Sequence, residues 1–166
     1  MNLNPIHKIL LNTNGSITVI IEAITGKEVQ IETIEQKIIE ANKEIAELLR
    51  IDEGDLVNYR VVNLRANGIL YVRAISYTPI KRLDERFKED LMKADIPIGK
   101  ILKKYNIEAR REIRWKRIAK ADKRIAKDLE IEEGSTVLIR NYNIIHKGEI
   151  LMNITEFFPA DRFKIT

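Results

Sequence analysis

The apolar positions of this chain fall into short runs of two kinds of period. NPIHKILL, from Asn4, has helical spacing with proline near its start. SITVIIEAI and KEVQIETI are apolar runs separated by Thr25-Gly26-Lys27, which predicts a β-hairpin. Residues 34–49, IEQKIIEANKEIAELL, carry Ile34, Ile38, Ile45, Leu48 and Leu49 at helical spacing and predict one helix. LVNYRVVNL and ILYVRAISY are strands around Asn67-Gly68, a strong hairpin signal, and Pro79 closes the second. A charged helix from about Leu83 to Ala94 and a short helix over IPIGKILKKY follow. EARREIRWKRIAKA alternates as a long strand and KRIAKDL reads as a short helix. STVLIRNYNII and EILMNITEFF form a last pair of strands about Lys147-Gly148.

These elements repeat. The segment from Leu49 to Pro79 aligns without a gap onto the segment from Leu129 to Pro159, at a constant offset of 80 residues. Leu49, Gly54, Arg60, Gly68 and Pro79 recur as Leu129, Gly134, Arg140, Gly148 and Pro159. PIHKIL from Pro5 is echoed by PIGKIL from Pro97. Two copies are too few for a solenoid. The expectation is an α+β fold: one domain over 1–166, with duplicated halves at about 1–80 and 95–160, forming one mostly antiparallel sheet with helices on a face. A cleft between paired halves is a usual place for a ligand.

Composition narrows the chemistry. There is no cysteine, and the two histidines, His7 and His146, are too few for a histidine-rich metal site. The N-terminus lacks a signal-peptide pattern, and no apolar run approaches the roughly 20 residues of a membrane span, so a soluble cytoplasmic protein is expected. Glutamine occurs only at 30 and 36 amid abundant isoleucine, lysine and glutamate, a bias that fits a hot habitat. The net charge of +4 suits an anionic small molecule or a weak nucleic-acid contact. The basic tract from Lys100 to Arg124 is interrupted by Glu108, Glu112 and Asp122, which favours a solvated face over a nucleic-acid surface.

No dinucleotide fingerprint, P-loop, nucleophile elbow or zinc-protease motif occurs. Chemistry must therefore use carboxylates, guanidinium groups and backbone amides. On strand alternation Glu156 shares a face with Met152, Ile154 and Phe158, while its counterpart in the other copy is Ser76. The scaffold does not require an acid there. Either the carboxyl is held in an apolar site for proton transfer, or it pairs with a neighbouring lysine at a sheet edge. Arg60 and Arg140 are kept in both copies, as an ion pair of the repeated unit or as a fork for a ligand carboxylate. Whether Arg140 shares a face with Glu156 depends on the register of the last hairpin. Gly15 and Gly99 are further candidates. Gly99, at the start of a helix, lets amides hold an anion or simply lets the chain turn; its counterpart is His7.

Four stretches together resemble the chorismate lyases, within the wider fold that they share with UTRA ligand-sensing domains. They are NGSIT (Asn14 to Thr18) followed by TGKEVQI, YRVVNLRANG with Arg60, IPIGKIL (Ile96 to Leu102) and ITEFFP with Glu156. The archaeal branch is the most similar, given the lysine and isoleucine bias. The resemblance implies a duplicated six-stranded antiparallel sheet flanked by helices, with a buried internal site covered by flaps. It implies cleavage of chorismate to 4-hydroxybenzoate and pyruvate, with no cofactor and no metal. Arg60 would bind the ring carboxylate, assisted by amides near Ile17 and at Ile98-Gly99, and Glu156 would lie at the ring-hydroxyl end as the proton-handling group. The repeat suggests Arg140 for the enolpyruvyl carboxylate. Bacterial members carry a Gly-Arg pair where this chain has Ala74-Ile75; Arg73, two positions from Ile75, is the candidate replacement for that flap arginine. The expected partner is a small-molecule acid, with no nucleic acid or membrane, in a monomer or small homo-oligomer. The alternative is a UTRA-like sensor of a small acid, although a repeat starting near Pro5 leaves no room for a preceding DNA-binding domain.

Overall fold

The computed structural model describes residues 2–93 and 98–164. In chain order the elements are α1 (Pro5–Asn12), α2 (Ile17–Thr25), β1 (Val29–Glu40), α3 (Lys43–Leu49), β2 (Leu56–Ala66), β3 (Ile69–Pro79), α4 (Glu85–Lys93), α5 (Ile98–Lys104), β4 (Arg110–Lys120), α6 (Lys123–Leu129), β5 (Thr136–His146) and β6 (Glu149–Pro159). A short 3-10 turn follows each of the two closing prolines, Ile80–Arg82 and Ala160–Arg162. The strands form one antiparallel sheet in the order β1-β2-β3-β6-β5-β4, so the two halves meet where β3 pairs with β6. Ile96 and Pro97 of the IPIGKIL phrase lie outside the described residues, as do the side chains of Ile98 and Gly99.

The duplication extends to local defects. Asn67-Gly68 and Lys147-Gly148 all have positive φ, the geometry that matches the twist of paired strands. Two residue pairs beyond each turn the pairing slips. Leu64 faces Val72 while Arg65 faces Leu70, and Ile144 faces Met152 while Ile145 faces Ile150. The outer strands slip at equivalent places too, around Ile34 and Arg114. Asn42 and Asp122 cap α3 and α6 by accepting the N–H of Ile45 and Ile125.

Two expectations fail at the first half. SITVIIEAI is the helix α2, not a strand. Its β-branched apolar residues look like a strand, but Ser16 caps its start and Gly26 ends it in the left-handed region, with the Gly26 N–H donating to the Glu22 carbonyl. Residues 34–40 belong to β1, and only 43–49 are helical. The extra residue Ile34 breaks the strand's alternation by one, which imitates the three-and-four spacing of a helix.

Helices cover both faces of the sheet rather than one. On the front, α1 and α2 bury Leu10, Leu11, Ile17 and Ile21 against Leu64, Val72, Leu138 and Phe158. Beside them α4 and α5 bury Phe87, Leu91, Ile101 and Leu102 against Tyr142, Ile144, Met152 and Ile154. On the back, α3 packs Leu49 onto Val57, Ile145 and Ile150, and α6 packs Leu129 onto Leu70, Val137 and Ile139. No described helix is long and apolar enough to cross a membrane.

Equivalent arginines tie the halves across the seam. Arg82 donates to the carbonyls of Leu49 and Arg50 in its own half, and of Ile150 in the other (2.7–2.8 Å). Arg162 donates to Leu129 and Glu130 in its own half and to Leu70 in the other. Each arginine thus satisfies the carbonyls at a helix end while crossing to the opposite hairpin. Replacing either Arg82 or Arg162 by Met is expected to cost about 1.5–3 kcal/mol, the range for hydrogen bonds to a charged group. Urea unfolding of the two variants, which should behave alike, measures it.

Candidate functional site

The front face becomes chemically distinct where the halves meet. Antiparallel register aligns side chains in rows across the sheet. One row runs Arg60, Ser76, Ile154, Tyr142; the next runs Val62, Ala74, Glu156, Arg140, Lys116. Ala74 and Ser76 are small, and a cavity of about 60 Å³ opens above them. Arg60 and Glu156 both line it, from strands two places apart, which sets their backbones roughly 10 Å apart across the sheet. Both are buried, at 4 % and 5 % exposure.

The roof is the start of α2. Ser16, Ile17 and Thr18 line the cavity, and first-turn amides of a helix lack intrahelical partners, which favours an anion nearby. The link Asn12–Ser16 is held down by the sheet. Lys116 donates to the Asn12 side chain, and Arg140 Nη1 donates to the Thr13 carbonyl at 2.7 Å. Arg111 Nη1 reaches the Asn14 carbonyl at 3.5 Å, and the Gly15 N–H donates to Thr13 Oγ1 at 2.9 Å. Gly15 thus sits in this link rather than in the cavity wall.

Glu156 does not sit in an apolar site. Arg140 lies directly opposite on β5, and its Nε donates to Glu156 Oε1 at 2.7 Å. The Tyr142 hydroxyl donates to Oε2 at 3.3 Å. Arg140, fully buried, also stacks over the Tyr142 ring at 4.7 Å. It does not line the cavity. Glu156 and Thr13 take two edges of the Arg140 guanidinium, while its Nη2 is buried with no hydrogen-bond partner among the described residues. Of the two readings left open for Glu156, neither an apolar site nor a lysine partner is found: it pairs with this arginine.

Arg73, the candidate replacement for the flap arginine, lies elsewhere. It projects to the back of the sheet, where its Nε donates to Asn63 at 2.9 Å and its Nη1 pairs with Asp128 at 3.3 Å. It cannot stand over the front cavity. Ile17 lines the cavity. Ile98 and Gly99 open α5, whose Ile101 and Leu102 pack beside Tyr142 and Ile154. His7, the counterpart of Gly99, is structural: its Nε2 meets the Ala160 carbonyl at 2.8 Å, and it completes the cap of α1. Among the described residues no cluster of three or more His, Cys, Asp or Glu converges.

Two lining residues were missed from the sequence. Tyr142 was reachable, since it stands two positions after Arg140 on the same strand face. Arg111 was not, because only the slip at Arg114 turns it to the front. The basic tract is otherwise dispersed along an edge strand: Arg114 bonds Asn141, and Arg117 stacks on Trp115.

The chain has the UTRA-like α+β fold, with a cavity between small central residues that is lined by two arginines and a paired carboxylate. Its likeness to solved structures agrees: the effector domain of PhnF from Mycobacterium smegmatis superposes with a TM-score of 0.74 at 16 % identity, covering 94 % of this chain and 95 % of that one. A longer PhnF structure gives a TM-score of 0.77 at 17 % identity, over 93 % of this chain and 68 % of that one. The family described as chorismate pyruvate-lyase Rv2949c-like matches residues 11–164, and the chain belongs to it. MJ0807 of Methanocaldococcus jannaschii, whose name assigns it provisionally to the lyases, is 44 % identical over 92 % of this chain and 77 % of its own length. The chorismate pyruvate-lyase of Mycobacterium leprae is 26 % identical over 96 % of this chain and 76 % of its own length.

Breaking a buried pair strands one charge, which costs about 3–5 kcal/mol. Arg140→Met should lose that much by chemical denaturation, and Arg140→Met with Glu156→Leu should recover most of it. Burial pushes the Tyr142 hydroxyl well above its ordinary value, and the Glu156 carboxylate adds to the rise. A raised phenol contributes stability that is intact below about pH 10 and is lost as pH rises further. Unfolding free energy should therefore fall less steeply above about pH 10 in Tyr142→Phe than in the unaltered protein.

Proposed function

We propose that this chain is a lyase that splits chorismate into 4-hydroxybenzoate and pyruvate. The observation that carries the proposal is a cavity lined by both Arg60 and Glu156, at the seam of the duplicated sheet. Family membership and the named relatives support it. Chorismate bears a ring carboxylate and an ether-linked enolpyruvyl carboxylate. In the reaction a proton leaves the ring carbon that bears the hydroxyl, and its electron pair completes the aromatic ring. The ether carbon–oxygen bond breaks, and the departing enolpyruvate gains a proton at carbon to become pyruvate.

Arg60 grips the ring carboxylate as a fork, with the α2 amide at Ile17 and the amides at Ile98-Gly99 assisting. Glu156 handles the ring proton. Arg140 is a positioning residue: it holds Glu156 in one rotamer and, through Thr13, ties it to the start of α2. The protein's work is to fix the ring in an elimination-ready pose in a site shielded from water.

Incubation with chorismate, followed in the ultraviolet, should yield 4-hydroxybenzoate. Glu156→Gln should lower kcat by about 100-fold or more, the usual worth of a proton-transfer group. Chorismate left intact by the unaltered protein would sink the proposal. The second reading, a sensor of a small acid, is favoured by the likeness to the PhnF effector domain. It predicts that a small acid raises the melting temperature and is recovered unchanged.

A further inference from the structure

We infer that Arg111 is the residue that reads the second carboxylate of the ligand. The inference rests on the lyase proposal for the identity of the ligand, and adds the residue that distinguishes a diacid from a monoacid. With Arg140 engaged by Glu156 and Thr13, the front face has two guanidinium groups lining the cavity: Arg60 from β2 and Arg111 from β4. In strand order they flank the site, with Glu156 on β6 and Tyr142 on β5 between them. A ligand with an acid group at each end and its reacting bond in the middle fits that order.

Arg111 is also incompletely satisfied. Its Nε is buried with no hydrogen-bond partner, while the rest of the guanidinium makes a long 3.5 Å contact with the Asn14 carbonyl and acts on the Tyr142 hydroxyl. A buried donor left unmade is costly, and a carboxylate that supplies its partner recovers that cost. Arg111 further stands where the inner cavity adjoins an outer groove of about 420 Å³ whose other charged residues are Lys100, Lys103 and Glu22, a net positive set. The outer end of a dianion is therefore met by positive charge on its way in. Asn14 has a neutral carbonyl to lose, so a carboxylate displaces this contact readily.

The test uses two unreactive aromatic acids, 3-methoxybenzoate and 3-(carboxymethoxy)benzoate, whose ether stands meta to the carboxylate as in chorismate, with affinities from calorimetry. The second carries an ether-linked carboxylate; the first lacks it. The unaltered protein should prefer the diacid by about tenfold or more, as expected for one charge-assisted contact. Arg111→Gln should abolish that preference by weakening the diacid alone, and Arg111→Lys should restore part of it. Arg60→Gln should weaken both acids together. The inference is overturned if Arg111→Gln keeps the preference, if it weakens both acids equally, or if the unaltered protein binds neither. A protein that shows the Arg111-dependent preference yet leaves chorismate intact would end the lyase proposal while the assignment of Arg111 stands.

Discussion

The contact between Arg140 and Glu156 is the constraint around which the site is arranged. Two charges removed from water must compensate each other closely or not be buried at all. Here the compensation fixes three things. It sets the rotamer of the acid, it occupies the Nε of an arginine, and it leaves a second edge of that arginine to hold the Thr13 carbonyl. The acid, the sheet and the start of α2 therefore move as one body. A site built on strands and pinned in this way is more rigid than one carried on loops.

The two halves contribute unequal parts to this arrangement. Arg60 and Arg140 occupy equivalent positions, but opposite Arg60 stands Ser76 and opposite Arg140 stands Glu156. Ala74 corresponds to Ile154, and Val62 to Tyr142. The first half thus supplies space and the second supplies bulk and charge. The helix α2 adds a further inequality. Only a short link joins α5 to β4, so α2 has no counterpart there, and it is α2 that brings the roof and its amides.

Much of this was legible from residues alone, because the 80-residue repeat and the Asn67-Gly68 and Lys147-Gly148 turns declare the hairpins and their symmetry. Arg60 and Glu156 could be named from the repeat before their positions in space were known, and Ile17 only from the family resemblance. What could not be read is register. A two-residue turn continued without interruption would set Arg140 opposite Thr155; the extra residue Leu151 moves it to Glu156. The same kind of slip at Arg114 turns Arg111 inward, and the one at Ile34 disguised a strand as a helix. A single-residue slip exchanges faces without altering composition or turn signals, so local pattern does not reveal it. The helix α2 was hidden for a different reason: its caps, not its apolar pattern, distinguish it from a strand.

The equivalence of the halves has a consequence for how such a pocket can arise. A symmetric assembly of two first halves would have room at its centre, with serine twice and no acid. One of two second halves would place isoleucine and tyrosine where the space now lies, and would seal two arginine–glutamate pairs in its core. Neither symmetric arrangement has both a void and a carboxylate beside it. Fusion into one chain is what allows the copies to diverge at the same row of the sheet, so the pocket belongs to the difference between them, as a lock needs both a recess and a pin.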